Sequence, residues 1–491
     1  MYLYRFLIVS CFGLFISCSS INPKAPGNGP LRIHRANPIY FTDNSGKAIY
    51  LSGHQSFIDL QDPASRMLDW PWYLQLLTDK NINYIRNWSE SAFAASPAGV
   101  SPLPYKRVSG YGNANDGGEK FDLYQFEQSF FDRMRERAID LGNRGIYISY
   151  MLFDVYGFES RQNPGGGLNQ VFNASNNING IEASDLSFFF SPSPELMALQ
   201  KAYVGKVIDT VGDLDNVFFE IANELGAVSW QYQIINHIKN HEASRPKQHL
   251  ILYSPAGLLR DGTSYHDSSL DEAYASGASV YSVASGWADY INNPPINNTR
   301  VPLIIDMDHI SGWRDQSMST LAQIPWKAFM RGYHFNLYDA PFEDPTMESA
   351  DWDKYRTSTG STVNYAKRIA DLAGMLPSTE VSSTGFALAK AGSDYLVYAP
   401  GGGSFNVDLQ TGNYFYEWFD PNTARLINTG CVKALGGLQS FSPPFSGDAV
   451  LYLTSGTSPT RPPSVPSRCG TIWNSYLAVP KLSLLIPPHR S

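Results

Sequence analysis

The sequence predicts an α/β protein, a (β/α)8 TIM barrel followed by a small C-terminal all-β sandwich. Three observations carry that prediction. Between Ala48 and Met375, eight short apolar runs alternate with amphipathic stretches of helical period, the count and length of one parallel barrel with loop insertions. Beyond about Leu376 the helical period disappears, and short runs are separated by Gly and Asn turns. Within the barrel region, Asn216-Val-Phe-Phe-Glu-Ile-Ala-Asn-Glu-Leu-Gly226 joins a run that is apolar on both faces to the polar pair Asn223 and Glu224. A strand covered on both sides by helices reads this way, and its C-terminal end lies on the edge where a barrel builds its site.

At the N-terminus, Met1 to Arg5 and the apolar stretch Phe6 to Ser17 read as an export signal, too short for a comfortable membrane span. Phe15-Ile-Ser-Cys18 resembles a bacterial lipobox in which Cys18 carries the lipid, with Phe15 where Leu is usual. Residues 18–30 form a tether of Ser, Asn, Pro and Gly. The expected location is the bacterial cell envelope, as an outer-membrane lipoprotein that meets the membrane only through its anchor.

Residues 31–375 hold the barrel. Pro38 to Gly53 reads as a hairpin turning at Asp43-Asn-Ser-Gly46 and leading into a first strand that ends at Gly53-His54-Gln55. Further strands are expected over 83–88, 145–153, 216–222, 249–254, 278–283, 301–306 and 333–338. Helices are expected over 68–80, along the stripe Phe126, Phe130, Met134, Ala138 and Leu141, and over 194–211, 230–242, 321–331 and 363–375. The insertions Ser91–Lys120 and Asp154–Pro192 follow the second and third strands, where long loops shape a cleft. Residues 376–455 make the sandwich, and 456–491 a loosely ordered tail rich in Pro and Ser. Of four cysteines, Cys11 leaves with the signal and Cys18 carries lipid, so Cys431 and Cys469 remain, as a disulfide or as two buried thiols.

A net charge of -8 with no run of Lys or Arg argues against nucleic acid or an anionic membrane surface as partner. The 29 Tyr and 10 Trp suit a surface that meets sugars through their C–H faces, so carbohydrate is the expected partner. The glycine triplets at 165–167 and 401–403 lack a following Lys-Ser or Lys-Thr and read as turns. His237 and His241 have the spacing of a zinc helix without its Glu, which reads as a solvated face. No metal or cofactor is expected, and serine-hydrolase and dinucleotide motifs are missing.

Cleavage of a glycosidic bond needs one carboxylic acid to protonate the leaving oxygen and a second carboxylate across the sugar ring. Glu224 is the first candidate. Its partner is sought at another strand end, where Val301-Pro-Leu-Ile-Ile-Asp-Met-Asp-His309 offers Asp306 and Asp308, which the sequence does not separate. Two other readings stay open: Asn223-Glu224 as a helix cap, and Asp-Met-Asp-His as a metal-like cluster or structural network. Arg86 at a strand end is placed to hold an ionised nucleophile. His54, Asp154, Asn223, His309, His334 and Asn336 are candidate ligands of sugar hydroxyls, and Trp88, Tyr281, Trp287 and Trp313 candidate stacking platforms.

The hairpin leading into Leu51-Ser-Gly-His54, the strand Asn83-Tyr-Ile-Arg86, the Asn223-Glu224 strand end and the late acidic strand together resemble the clan A glycoside hydrolases. More narrowly, Asp306-Met-Asp-His-Ile-Ser-Gly312, Trp326-Lys-Ala-Phe-Met-Arg-Gly332, Tyr395-Leu-Val-Tyr-Ala-Pro400, Glu417-Trp-Phe-Asp-Pro421 and Phe441-Ser-Pro-Pro-Phe445 resemble cellulase-like, apiosidase-like bacterial proteins. The C-terminal sandwich of those proteins is labelled collagen-binding. The resemblance implies a retaining glycoside hydrolase with Glu224 as acid/base and a nucleophile on the seventh strand. That nucleophile is usually Glu, whereas this strand offers the shorter Asp306 or Asp308. The rival reading is a non-catalytic surface lipoprotein that binds glycans.

Overall fold

The computed structural model describes residues 28–56, 60–63, 67–87, 100–155, 158, 166–254, 257–259, 265–266, 270–283, 292–306, 317–342 and 345–455. Eight parallel strands close into a barrel in chain order: β1 (Ser52–Ser56), β2 (Tyr84–Asn87), β3 (Tyr147–Asp154), β4 (Val217–Asn223), β5 (Ile251–Tyr253), β6 (Val280–Val283), β7 (Leu303–Asp306) and β8 (His334–Tyr338). The helices around it are α1 (Trp70–Asp79), α2 (Gln128–Gly142), α3 (Pro194–Val211), α4 (Val228–Glu242), α5 (Leu270–Ser276), α6 (Met318–Met330) and α7 (Ala350–Arg368). Their starts follow local chemistry. The Asp69 carboxylate accepts from Trp72 N, with Pro71 in the first turn of α1, and the Ser193 hydroxyl accepts from Leu196 N, with Pro194 opening α3.

Residues on alternate strand positions divide between two apolar layers. Val217, Phe219 and Ile221 of β4 join the core between sheet and helices, whereas Phe218 joins a smaller cluster with Tyr84, Tyr147, Leu252, Val280 and Ile304. That second cluster fills the lumen at the N-terminal end of the strands and is plugged by the hairpin before β1. Phe41 and Ile49 exchange backbone hydrogen bonds across the hairpin, and the Phe41 ring lies 4.4 Å from that of His334. His334 ties the plug to the barrel, accepting from Leu51 N at 2.9 Å through Nδ1 and donating from Nε2 to Ile39 O at 3.0 Å.

Two expectations change. The helix expected over 363–375 is α7, which begins at Ala350 and gives way to a short 3-10 turn at Leu372–Gly374; its middle, 357–362, is Ser- and Thr-rich, and packing rather than propensity holds it. The first insertion, expected as loop, contains a hairpin of Tyr105–Asn113 and Glu119–Phe126. In the second insertion Phe158, Phe172, Phe188 and Phe189 pack ring on ring against Trp230 of α4, which anchors this loop to the core.

The C-terminal unit is an antiparallel six-stranded sheet in the order β9 (Leu376–Ser378), β10 (Ala387–Lys390), β11 (Asp394–Ala399), β16 (Ala449–Ser455), β13 (Gly412–Asp420), β14 (Arg425–Ala434). It is faced by the pair β12 (Phe405–Leu409) and β15 (Gly437–Phe441). Phe405, Val407, Leu409 and Phe441 meet Val397, Trp418, Leu451 and Leu453 between the two layers. The other face of the large sheet packs on the barrel. There Trp326 of α6 stacks on Tyr398 at 5.9 Å, and the Tyr365 hydroxyl of α7 donates to Glu417 at 2.9 Å. Cys431 of β14 is disulfide-bonded; Cys11, Cys18 and Cys469 all lie outside the described residues. So do the signal and lipobox and the tail from 456. Among the described residues no helix is long and apolar enough to cross a membrane.

Burial pushes the His334 imidazole down to about 3. The unfolded chain takes up this proton near its ordinary value of 6.5 while the folded protein stays neutral, so stability falls as pH drops from about 6.5 toward 3, by up to ~1.4 kcal/mol per pH unit. In urea unfolding between pH 7 and 4.5, His334→Gln is expected to be less stable than the parent at pH 7 and to show a shallower loss on acidification.

Candidate active site

Above the apolar floor the lumen becomes polar, and Arg86 of β2 sits at its centre, 1% exposed. Strand alternation sends Tyr84 and Arg86 inward. The guanidinium reaches three strands. Its Nε donates to Glu220 Oε2 of β4 at 2.9 Å and its Nη2 to Glu220 Oε1 at 2.5 Å. Nη2 also donates to Asn223 Oδ1 at 2.8 Å. Nη1 lies 2.6 Å from Asp306 Oδ2 at the end of β7 and donates to Gln55 Oε1 of β1 at 3.0 Å. The Gln55 amide then donates from Nε2 to Asp306 Oδ1 at 3.1 Å, and Ser282 of β6 donates its hydroxyl to Asp306 Oδ2 at 3.3 Å. Glu220, Asn223, Gln55, Ser282 and Asp306 are all at most 1% exposed.

This arrangement obeys what burial demands of charge. Two carboxylates out of water are tolerable only with a cation and enough donors to satisfy their oxygens, and the planar guanidinium supplies several at fixed angles. Among the described residues the cluster sets one cation against two carboxylates.

Glu224 follows directly on β4. It is partly exposed, and its backbone is left-handed, φ +47°, a region that costs a non-glycine residue about 1–2 kcal/mol. Strain of this size persists where surrounding structure imposes it, and such positions cluster at functional sites. Asp154 ends β3 and is register-paired with Asn223, on the same edge.

The structure thus brings Arg86, Asn223 and Asp306 together, with Glu224 and Asp154 at the same edge. It does not bring three other candidates there. His54 points outward from β1, Nδ1 contacting the Tyr73 hydroxyl at 2.8 Å and Nε2 lying 3.1 Å from Asp339, which Arg356 grips through two nitrogens at 2.6 and 2.7 Å. Burial pushes the Asp339 carboxyl up, but the Arg356 and His54 contacts outweigh it and hold it below the usual carboxylate range. Tyr281 also faces outward, its ring 5.8 Å from that of Tyr274 on α5. His334 lies on the floor, at the opposite end of the lumen. Asp308, His309, Trp88, Trp287 and Trp313 lie outside the described residues, as does Cys18. His237 and His241 on α4 are engaged by Lys201 O and by Asp209.

Glu220, Gln55 and Ser282 were not singled out from sequence. A signal existed for Glu220: a lone carboxylate in a run as apolar as Val217–Ala222 requires a buried cation, and it shares its strand parity with Phe218. Gln55 adjoins His54, and only the phase of β1 decides which of the two faces the lumen.

No protein-family model and no curated protein matches the sequence. Solved structures do match in fold. One, a glycoside hydrolase, is 12% identical, covers 88% of this chain and 98% of its own, and superposes with a TM-score of 0.56. Another, a glycoside hydrolase family 5 protein from Bacteroides vulgatus, is 14% identical over 91% of this chain and 97% of its own, with a TM-score of 0.58. At such identity the likeness is one of fold, and it spans the barrel and the C-terminal sheet together.

Arg86→Met is expected to lower stability by about 3–5 kcal/mol in urea denaturation, because two buried carboxylates lose their cation. Adding Glu220→Gln and Asp306→Asn to that variant is expected to restore a substantial part of the loss, since the uncompensated charges are then gone. Equal stability of the single and triple variants would refute the charge-balance account.

Proposed function

We propose that this chain is a glycoside hydrolase of the cell envelope, anchored through Cys18 and acting on polysaccharide or oligosaccharide. In this reading Glu224 donates a proton to the glycosidic oxygen, and Asp306, or Asp308 two residues on, is the carboxylate across the sugar ring. The observation that carries it is the single guanidinium that joins β4, the strand ending in Glu224, to Asp306 at the end of β7. It aligns two acidic strand ends at the edge where barrel enzymes work. Arg86 and Gln55 orient the Asp306 carboxylate, while Glu224, partly exposed, keeps access to a leaving-group oxygen. The fold of the matching glycoside hydrolases supports the class. The pairing expected of the clan, Glu with Glu, is replaced by Glu with a shorter Asp.

One observation favours a second reading, a glycan-binding protein without turnover. Both oxygens of Asp306 are already engaged, Oδ1 by Gln55 and Oδ2 by Arg86 and Ser282. A carboxylate so tied is well suited to structure.

Glu224→Gln separates the two. A hydrolase is expected to lose about 10²–10⁴-fold in kcat on an aryl glycoside or polysaccharide that the parent cleaves, with KM little changed, because an amide binds where an acid did but has no proton to give. Unchanged turnover removes Glu224 from the mechanism.

Glu224→Gly tests the strained backbone at the same position. Glycine adopts φ +47° without the Cβ penalty, so this variant is expected to be at least as stable as the parent in thermal unfolding while lacking turnover. A marked loss of stability would show that the Glu224 side chain holds the β4 end in place.

A further inference from the structure

Beside the Arg86 cluster, two buried polar side chains in the lumen have no hydrogen-bond partner. Asn336 of β8 is fully buried, and both atoms of its carboxamide are unsatisfied. Ser254, immediately after β5, is fully buried with its hydroxyl unsatisfied. An orphaned amide is expensive in a protein interior, at roughly 1–3 kcal/mol per unmade bond, and native structures leave few without a reason.

Both side chains fall on the lumen side by the phase of their strands. Phe335 packs outward, its ring 6.2 Å from that of Tyr355 on α7, and Leu337 lies in the same outer core, so Asn336 between them faces inward. Its register partners are Asp306 on one side and Gly53 on the other. Gly53 brings no side chain toward it. Tyr253 packs outward against Tyr232 of α4 and bonds Glu272 of α5, which turns Ser254 inward. Asp306 therefore has Arg86 and Gln55 as partners, and Asn336, its register neighbour on β8, stands beside it with its own carboxamide unsatisfied.

We propose that Asn336, with Ser254 across β6 and β7, forms a subsite for uncharged sugar hydroxyls beside Asp306. This deepens the hydrolase reading and rests on it for the identity of the ligand as a glycan. A carboxamide presents an acceptor and a donor side by side, so it pairs with two adjacent hydroxyls of a sugar ring, one donating to Oδ1 and one accepting from Nδ2. Ser254 takes or gives one further hydrogen bond. Among the described residues no cation stands beside Asn336 and Ser254, and Arg86 is engaged by Glu220, Asp306, Asn223 and Gln55. With two carboxylates against one cation in the described part of the neighbouring cluster, a uronate or sulfated sugar is repelled here and a neutral one is accepted.

The test compares the full-length parent with Asn336→Leu, which keeps the branched side-chain skeleton but is larger and cannot hydrogen-bond, and with the milder Ser254→Ala. Substrates are neutral p-nitrophenyl hexosides and pentosides, with p-nitrophenyl glucuronide as the charged comparator. On a neutral glycoside that the parent cleaves, Asn336→Leu is expected to lose at least tenfold in kcat/KM, chiefly through KM, and Ser254→Ala a smaller factor. The melting temperature of Asn336→Leu is expected to be unchanged or raised, because an unsatisfied polar group has been removed. A merely structural amide, bridged by ordered water, gives the opposite pair of results, a lower melting temperature with unchanged kinetics, and overturns the proposal. Preference of the parent for the glucuronide overturns it as well.

Should Asn336→Leu fail to fold, the parent itself is assayed with deoxy analogues of its substrate. Losing either of two adjacent hydroxyls is expected to cost at least tenfold; a subsite is refuted if no adjacent pair matters. A parent that cleaves none of these glycosides counts against the hydrolase reading alone, provided calorimetry still finds a neutral oligosaccharide whose binding weakens at least tenfold in Asn336→Leu or Ser254→Ala. If no oligosaccharide binds the parent, the subsite fails with it.

Discussion

A guanidinium buried among carboxylates inside a closed barrel is the constraint on which the rest of this lumen depends. Arg86 must be paired, and the only way to pair it in the interior is to bring acidic and amide groups from several strands to one height. Glu220 on β4, Asp306 on β7 and Gln55 on β1 answer that demand, so a single side chain spans the lumen and sets which strand ends lie opposite one another. The apolar plug beneath serves the same end. With Phe41 and His334 closing the N-terminal side, the polar cluster is kept dry from below, and its electrostatics strengthen accordingly.

Stability and site compete at the C-terminal edge. Glu224 sits in a left-handed conformation that glycine would occupy more cheaply, and Asn336 and Ser254 hold polar atoms with nothing to bond. A chain selected for stability alone has no reason to keep three such features within one lumen and its rim. Other buried charges are paired: His54, Asp339 and Arg356 make mutual contacts behind β1, and Tyr365, Arg368 and Glu417 do so between barrel and sandwich. An unsatisfied amide, an unsatisfied hydroxyl and a strained residue therefore stand where a ligand is proposed to bind, as expected when ligand contacts complete a site.

The sandwich is joined to the barrel by packing. Trp326 and Phe329 of α6, Tyr365 of α7, and Tyr398 and Phe419 of the large sheet share one apolar cluster. Its apolar runs coincide with strands buried along their length, as β11 and β16 are. No such run marks β14, where nine of ten residues are exposed or half-buried and apolar residues do not alternate. The hairpin within the first insertion escaped for the same reason: Lys106–Asn113 pairs with Glu119–Phe126 but is exposed along most of its length.

By itself the sequence determined the count and order of the barrel strands, because each is an apolar run of the right length separated by helical periodicity. It also marked Asn223, Glu224, Arg86 and Asp306, because a polar residue that ends or interrupts such a run has few reasons to be there. Only the tertiary structure decided which polar residues share the lumen. Alternation assigns a residue to one of two faces, but the phase of each strand and its register with its neighbours come from closure of the barrel. That phase turned Gln55 inward and His54 outward, carried His334 to the floor and Asn336 to the side of Asp306, and made Glu220 the principal partner of Arg86. A short strand such as β7, with four residues, carries too little pattern to reveal its own phase, and the carboxylate at its end acquires its partners from strands far away in the chain.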